Sequence, residues 1–264
     1  MRTVDPIAPG AAAFNAAGGI TATEASSAKC EQCGEWNDGG PRELAQWARH
    51  HARDAHDARR PSVLGLDLSL TRAGIAVSSL DPARQQFWPS LLTHIGAAGS
   101  DDATWDERCE RLVRQLRGVI GYVDAAIAAG ADIRFAAIEG PTYGMAMMPS
   151  YYDRAGLHWS VYAALRARRI PIVIVNPMHR ALFACGVKPP SGDAGKRLVL
   201  GETRIRWTGY LDNPNRFIAN HDQADALGLC EMGVLGQKWP VPWDIRRRHI
   251  ENVAAVGTWP AVTL

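Results

Sequence analysis

From residue 62 onward the apolar residues fall into short unbroken blocks separated by polar turns, and then into a helical rhythm. Val63-Leu64-Gly65-Leu66-Asp67-Leu68 reads as a buried strand interrupted by one carboxylate. Gly74-Ile75-Ala76-Val77 follows as a second strand after a tight link, and Phe87 to Ile95 as a third, weaker one. Leu112, Val113, Leu116, Ile120, Val123 and Ile127 then recur at helical spacing, with Arg108, Arg111, Arg114 and Arg117 on the wet side. That pattern predicts a long helix over Thr104 to Ala129, ended by Gly130. Arg134 to Glu139 is a short strand closing on a carboxylate, and Gly140 to Tyr152 a loop. A helix over Asp153 to Arg168, a strand over Ile172 to Val175 and a short helix opened by Pro177 come next. Beyond a Gly/Pro-rich loop, Lys188 to Gly195, one helix is predicted near Lys196 to Trp207. A last one starts near Asn220, with Leu227, Leu229, Met232 and Leu235 for packing.

The flanks read differently. Residues 1–28 are rich in Ala, Gly, Ser and Thr and cannot bury enough surface to offset their ordering entropy, so a disordered tail is expected. Residues 29–60 form a small Cys/His module, residues 61–240 the main domain, and residues 241–264 a C-terminal tail without periodicity. Within the main domain, three strands precede helix, strand, helix, strand, helix. This is the order of the ribonuclease H-like fold, an α/β domain with a mixed five-stranded sheet and helices on both faces.

Composition bounds the classes available. The 264 residues are 47% apolar, which excludes a wholly disordered chain. No uncharged apolar run approaches the roughly 18–20 residues of a bilayer span, and the first residues lack a basic-then-apolar layout, so neither membrane nor secretory signal is expected. Five cysteines, of which only Cys30 and Cys33 are close together, point to a reducing, cytoplasmic setting. The net charge of +2 conceals an uneven distribution. Residues 61–150 carry 7 basic and 10 acidic side chains, whereas residues 154–216 carry 11 basic against 3 acidic. A stretch at +8 favours a polyanionic partner.

The carboxylates supply candidate chemistry. Asp67 interrupts an apolar strand, where an unpaired charge is expensive and normally has a partner or a metal. Glu139 ends a second apolar strand before Gly140-Pro141, and Asp222 and Asp225 lie three apart at a helix start, on one face. Four such groups can converge on two Mg²⁺ ions, with Mn²⁺ as a substitute. Such a pair activates a water and neutralises the leaving oxygen of a phosphodiester.

Gly65-Leu66-Asp67-Leu68-Ser69-Leu70-Thr71-Arg72-Ala73-Gly74 resembles the opening strand–turn–strand of the RuvC-type Holliday junction resolvases. Ala137-Ile138-Glu139 resembles their second acidic motif, and Asp222-Gln223-Ala224-Asp225-Ala226-Leu227 their closing D-x-x-D-A-L helix. The likeness covers about residues 62–236, in the family's order. Leu68-Ser69-Leu70 departs from it, because the family has Pro-Gly-Ser there. The resemblance implies that Asp67, Glu139, Asp222 and Asp225 form a metal-binding quartet, acting in a homodimer on branched DNA. It places Lys196, at a helix start after a Gly-rich loop, near the scissile phosphate. His221 either contacts that phosphate, accepts a proton, or simply begins the helix. Tyr143 either stacks on bases at the branch point or belongs to a loop packed by its Met residues. Arg154, Arg180, Lys188, Lys196 and Arg197 are the basic groups expected to meet DNA.

Upstream, Cys30-x2-Cys33 followed after 17 residues by His51 and His56 has the spacing of a structural zinc site, with His50 an alternative to His51. The function expected is a two-metal endodeoxyribonuclease for four-way junctions. The rivals are an actin-like or sugar-kinase ATPase, which also begins Gly-x-Asp-x-Ser, and a catalytically silent nucleic-acid binder. Roughly 200 residues after Pro61 leave little room for a second nucleotide-binding half.

Overall fold

The computed structural model describes residues 59–141 and 150–264, together with the backbone of three short upstream strands. Those strands, β1 (Ile20–Thr23), β2 (Ser27–Cys30) and β3 (Trp36–Asp38), pair antiparallel in the order β1-β2-β3. The hairpin that matches Ile20 with Cys30 and Thr23 with Ser27 begins inside the stretch expected as a tail. Backbone pairing needs no large apolar side chain, which is why composition alone did not reveal it.

The main sheet contains β4 (Arg60–Asp67), β5 (Ala73–Asp81), β6 (Gln86–Ile95), β7 (Ala131–Glu139) and β8 (Ile172–Val175) in the order β6-β5-β4-β7-β8. β5 pairs antiparallel with both β4 and β6, whereas β7 pairs parallel with β4 and β8 parallel with β7. This is the expected ribonuclease H-like sheet. On one face pack α1 (Trp105–Ala128) and α2 (Tyr151–Ala167), over Leu64, Leu66, Ile75, Ala136 and Ile138. A capping box fixes the start of α1: Glu107 N donates to Thr104 Oγ1, and Thr104 N donates to the Glu107 carboxylate.

The other face is covered by α6 (His221–Gly236), which is buried from Asp222 through Val234. Two glycines let it lie this close. A Cβ at Gly65 would stand 2.1 Å from the Ala226 carbonyl oxygen, and one at Gly74 would stand 2.0 Å from that of Asp222. Asn220 caps the helix by accepting from Gln223 N at 3.0 Å. Around α6 are α3 (Pro177–Cys185), α4 (Asp193–Arg206) and the single turn α5 (Pro214–Phe217).

The C-terminal segment packs on the main domain. It forms α7 (Arg247–Ala255), and Trp243, His249 and Val253 are buried. Phe87 stacks on Trp239 at 4.8 Å and donates its N–H to Pro240 O, while Trp259 Nε1 donates to Val253 O. The segment therefore closes the core on the α6 face. Its aromatic residues are spaced to fit partners distant in sequence, so no short-range period announces them.

Candidate active site

Strand register carries two carboxylates to one place. Leu66 on β4 lies abreast of Ile138 on β7, so Asp67 and Glu139 end two parallel neighbours side by side. Leu66 and Ile138 belong to the core under α1 and α2. Alternation along a strand turns the next residues, Asp67 and Glu139, to the opposite face, toward α6. Asp222 and Asp225 approach there from the first turns of α6, whose close seating depends on Gly74.

One cation ties part of this cluster together. Arg180 on α3 donates from Nε to Glu139 Oε2 at 2.6 Å and from Nη1 to Asp225 Oδ1. Its side chain is only 11% exposed. β8 delivers it, because Val175 pairs with Glu139 and α3 begins two residues later. Arg180 was expected on the DNA-facing surface; the structure instead buries it between carboxylates, whose mutual repulsion requires a counter-charge.

The remaining polar atoms are less well served. No hydrogen-bond donor among the described residues reaches the Asp67 carboxylate. Asp222 Oδ2 is buried without a hydrogen bond; the nearest cation is Arg72 Nε at 3.6 Å, and Asp222 Oδ1 lies 3.3 Å from His221 Nε2. Burial, then the charges of Glu139 and Asp225, push the Asp67 carboxyl well above the usual carboxylate range, with Arg180 opposing. Asp225 is pushed up to about 7 by burial, against the pull of Arg180. Burial by itself would lower the Arg180 pKa, but Glu139, Asp225 and Asp67 raise it further than burial lowers it. His221 is held below the ordinary imidazole range by burial, with Lys196 and Arg72 adding to the effect and Asp222 opposing it.

These donors match a hard divalent cation in kind: all are carboxylate oxygens, one buried oxygen is orphaned and one carboxylate lacks a donor. In arrangement they are not yet closed around one. Among the described residues no three His, Cys, Asp or Glu side chains form a metal-binding cluster, and Arg180 holds Glu139 and Asp225 to itself.

The basic stretch also divides. Arg168 pairs with Asp124, Arg206 with buried Glu231, and Arg204 donates to the carbonyls of Ile218 and Ala219. These side chains serve the fold. Arg154, Lys188, Lys196 and Arg197 are exposed. Lys196, on the first turn of α4, is near enough to act electrostatically on both His221 and Asp225. Arg72 was missed. It follows the turn after Asp67, and its position beside an acidic helix start becomes visible only once α6 is seated. Tyr143 lies outside the described residues, as do Cys33, His50, His51 and His56; Cys30 closes β2, with only its backbone described.

No known family model and no curated protein sequence matches this chain. Solved structures with a similar fold include Thermus thermophilus RuvC in complex with a Holliday junction substrate, at 15% identity and a TM-score of 0.46, covering 74% of this chain and 96% of that one. The Fowlpox virus resolvase in complex with Holliday junction DNA matches at 12% identity and a TM-score of 0.39, over 64% and 91% of the two chains. The yeast mitochondrial Holliday junction resolvase Ydc2 matches at 13% and 0.35, over 70% and 85%. At such identities the chemistry of the site is read from its own side chains.

Proposed function

We propose that this chain is a divalent-metal-dependent endonuclease that hydrolyses phosphodiester bonds in four-way or related branched DNA, working as a homodimer. The observation that carries the reading is the meeting of Asp67, Glu139, Asp222 and Asp225 at one end of the sheet, with a buried Asp222 oxygen left without a donor. A structural role gives no reason to gather four carboxylates, since each like-charge neighbour destabilises the others. Branched DNA is the substrate implied by the ordered motif resemblance, and the exposed basic groups around α4 suit a polyanion.

In this reading the four carboxylates hold two Mg²⁺ ions, which when bound supply an activated water and a counter-charge for the leaving oxygen. The chain's own residues do the rest. Lys196 offers a positive charge to the scissile phosphate from the exposed edge of the site. His221, kept neutral near pH 7 by burial and its cationic neighbours, is able to accept a proton beside Asp222. Lys188, Arg154 and Arg197 hold the flanking backbone and carry no sequence information.

The test is a nicking assay of the purified chain on four-way, flap and linear duplex DNA, with Mg²⁺ and with EDTA. Cleavage of the four-way junction that requires Mg²⁺, and that Asp67→Asn abolishes while junction binding persists, is the expected result. Unchanged cleavage by Asp67→Asn would sink the assignment, and equal cutting of linear duplex would remove the branch preference. A light-scattering mass equal to one chain of 28.7 kDa would remove the homodimer.

A further inference from the structure

Arg180 does more than neutralise. A cation that a nuclease centre needs and a guanidinium already bound there compete for the same carboxylates. The stem of Arg180 runs past Gly228 of α6, where an added Cβ would stand 3.9 Å from its Cγ and Cδ. Its backbone is fixed by the start of α3: Asn176 Oδ1 accepts from Met178 N, and Asn176 O accepts from Arg180 N.

The bonding pattern leaves room for a competitor. Arg180 binds each carboxylate through one oxygen, Glu139 by Oε2 and Asp225 by Oδ1. Glu139 Oε1 and Asp225 Oδ2 accept no hydrogen bond among the described residues. An arriving divalent ion has those two oxygens, Asp67 and the orphaned Asp222 Oδ2 to begin on. Once there, its double charge repels a guanidinium a few ångströms away, an interaction that weakens little with salt because the groups are largely buried. The two cations are therefore negatively linked, and by reciprocity each lowers the other's hold on the site.

We propose that Arg180 is a built-in counter-ion of the carboxylate centre, which divalent cations must displace from Glu139 and Asp225, so that this positioning residue sets the metal affinity of the site. The proposal rests on the metal centre of the nuclease reading. It accounts for a buried arginine that bonds one oxygen of Glu139 and one of Asp225 at the centre of the carboxylate cluster.

The experiment measures free Mn²⁺ by electron paramagnetic resonance during titration of the full-length protein, Arg180→Met and Arg180→Lys. Arg180→Met is expected to bind Mn²⁺ at least tenfold more tightly than wild type, and Arg180→Lys, which keeps the charge, to stay within a few-fold of it. A merely structural arginine would give the opposite order, with Met the weaker binder. Should Arg180→Met fail to fold, the Nε–H signal of Arg180 in wild-type ¹⁵N spectra decides, identified by its loss in Arg180→Lys. That proton, shielded by Glu139 in EDTA, is expected to shift and lose its exchange protection as Mg²⁺ saturates. An unchanged signal with Mg²⁺ bound, or Mn²⁺ binding by wild type that Arg180→Met leaves equal or weaker, overturns the proposal and leaves the nuclease reading standing. Absence of Mn²⁺ binding in all three proteins overturns the metal centre, and the proposal with it.

Discussion

In the proposed metal centre, the buried Asp225 carboxyl would couple protonation to cation binding. Burial pushes its pKa up to about 7, with Arg180 pulling it down. A divalent cation needs the anion, so Mg²⁺ affinity should strengthen as pH rises from about 6 to 8. The stability of the metal-free protein has the opposite slope. Between about pH 4 and 7 the folded carboxyl retains a proton that the unfolded chain has released, so stability falls as pH rises through that window and levels off above it. Asp225→Asn carries no proton to lose. The Tm difference between variant and wild type in EDTA should therefore grow in the variant's favour from pH 5 to pH 8. A difference that stays constant over that range would mean Asp225 is already ionised at pH 5. The same residue was legible in the sequence, because D-x-x-D at a predicted helix start puts two carboxylates on one face. Arg180 was legible only as a positive charge. Its role follows from the pairing of Val175 with Glu139, a register that a single sequence does not state.

At the scale of elements, the site exists because α6 lies directly on β4 and β5, and two absent side chains permit it. The Cβ of an alanine at Gly74 would meet the Asp222 carbonyl oxygen at 2.0 Å, so the helix start must move. Overpacking of this kind typically costs about 1–3 kcal/mol, and here it displaces the turn that carries Asp222. Gly74→Ala should lower the Tm and also shrink the Tm rise that Mg²⁺ produces. Gly121→Ala is the matched control: a Cβ there meets nothing within 4 Å on the exposed side of α1, and the change should be neutral or stabilising. A Mg²⁺-induced shift preserved in Gly74→Ala would show that the helix start does not depend on this contact. The strands and most helices could be read from period and caps. Thr104, Asn176 and Asn220 each stand at the N-cap where the pattern places a helix start. What periodicity missed is α7, on which only His249 and Val253 are buried, and the single turn α5, too short to show a period.

Across the whole molecule, the segment beyond Trp239 holds a buried polar cluster shut. Glu231 on α6 pairs with Arg206 at 2.6 Å and accepts from Trp207 Nε1 at 2.5 Å. The Arg206 guanidinium lies over the rings of Phe183 and Trp243, and His249 packs against both rings at 4.8 and 5.0 Å. An ion pair kept this dry depends on its cover, because removing the cover hydrates Glu231 and removing one partner strands the other. Burial, followed by the charges of Arg206, Arg248 and Arg246, pushes the His249 pKa down to about 3. The unfolded chain takes up a proton near the ordinary value of 6.5 and the folded one does not, so this histidine withdraws stability as pH falls from about 6.5 toward 3. That slope is opposite in sign to the one from Asp225, and wild type reports their sum. His249→Gln separates them. It removes the ionisable ring from the C-terminal segment while leaving the carboxylate centre intact, so its Tm in EDTA should fall less than wild type's between pH 6.5 and pH 5. An equal fall in the two proteins would mean that His249 is hydrated and that the segment does not seal the cluster. A smaller fall would identify residues 239–264 as part of the domain that bears the site, and the acid limit of this protein as a property of its C-terminal seal.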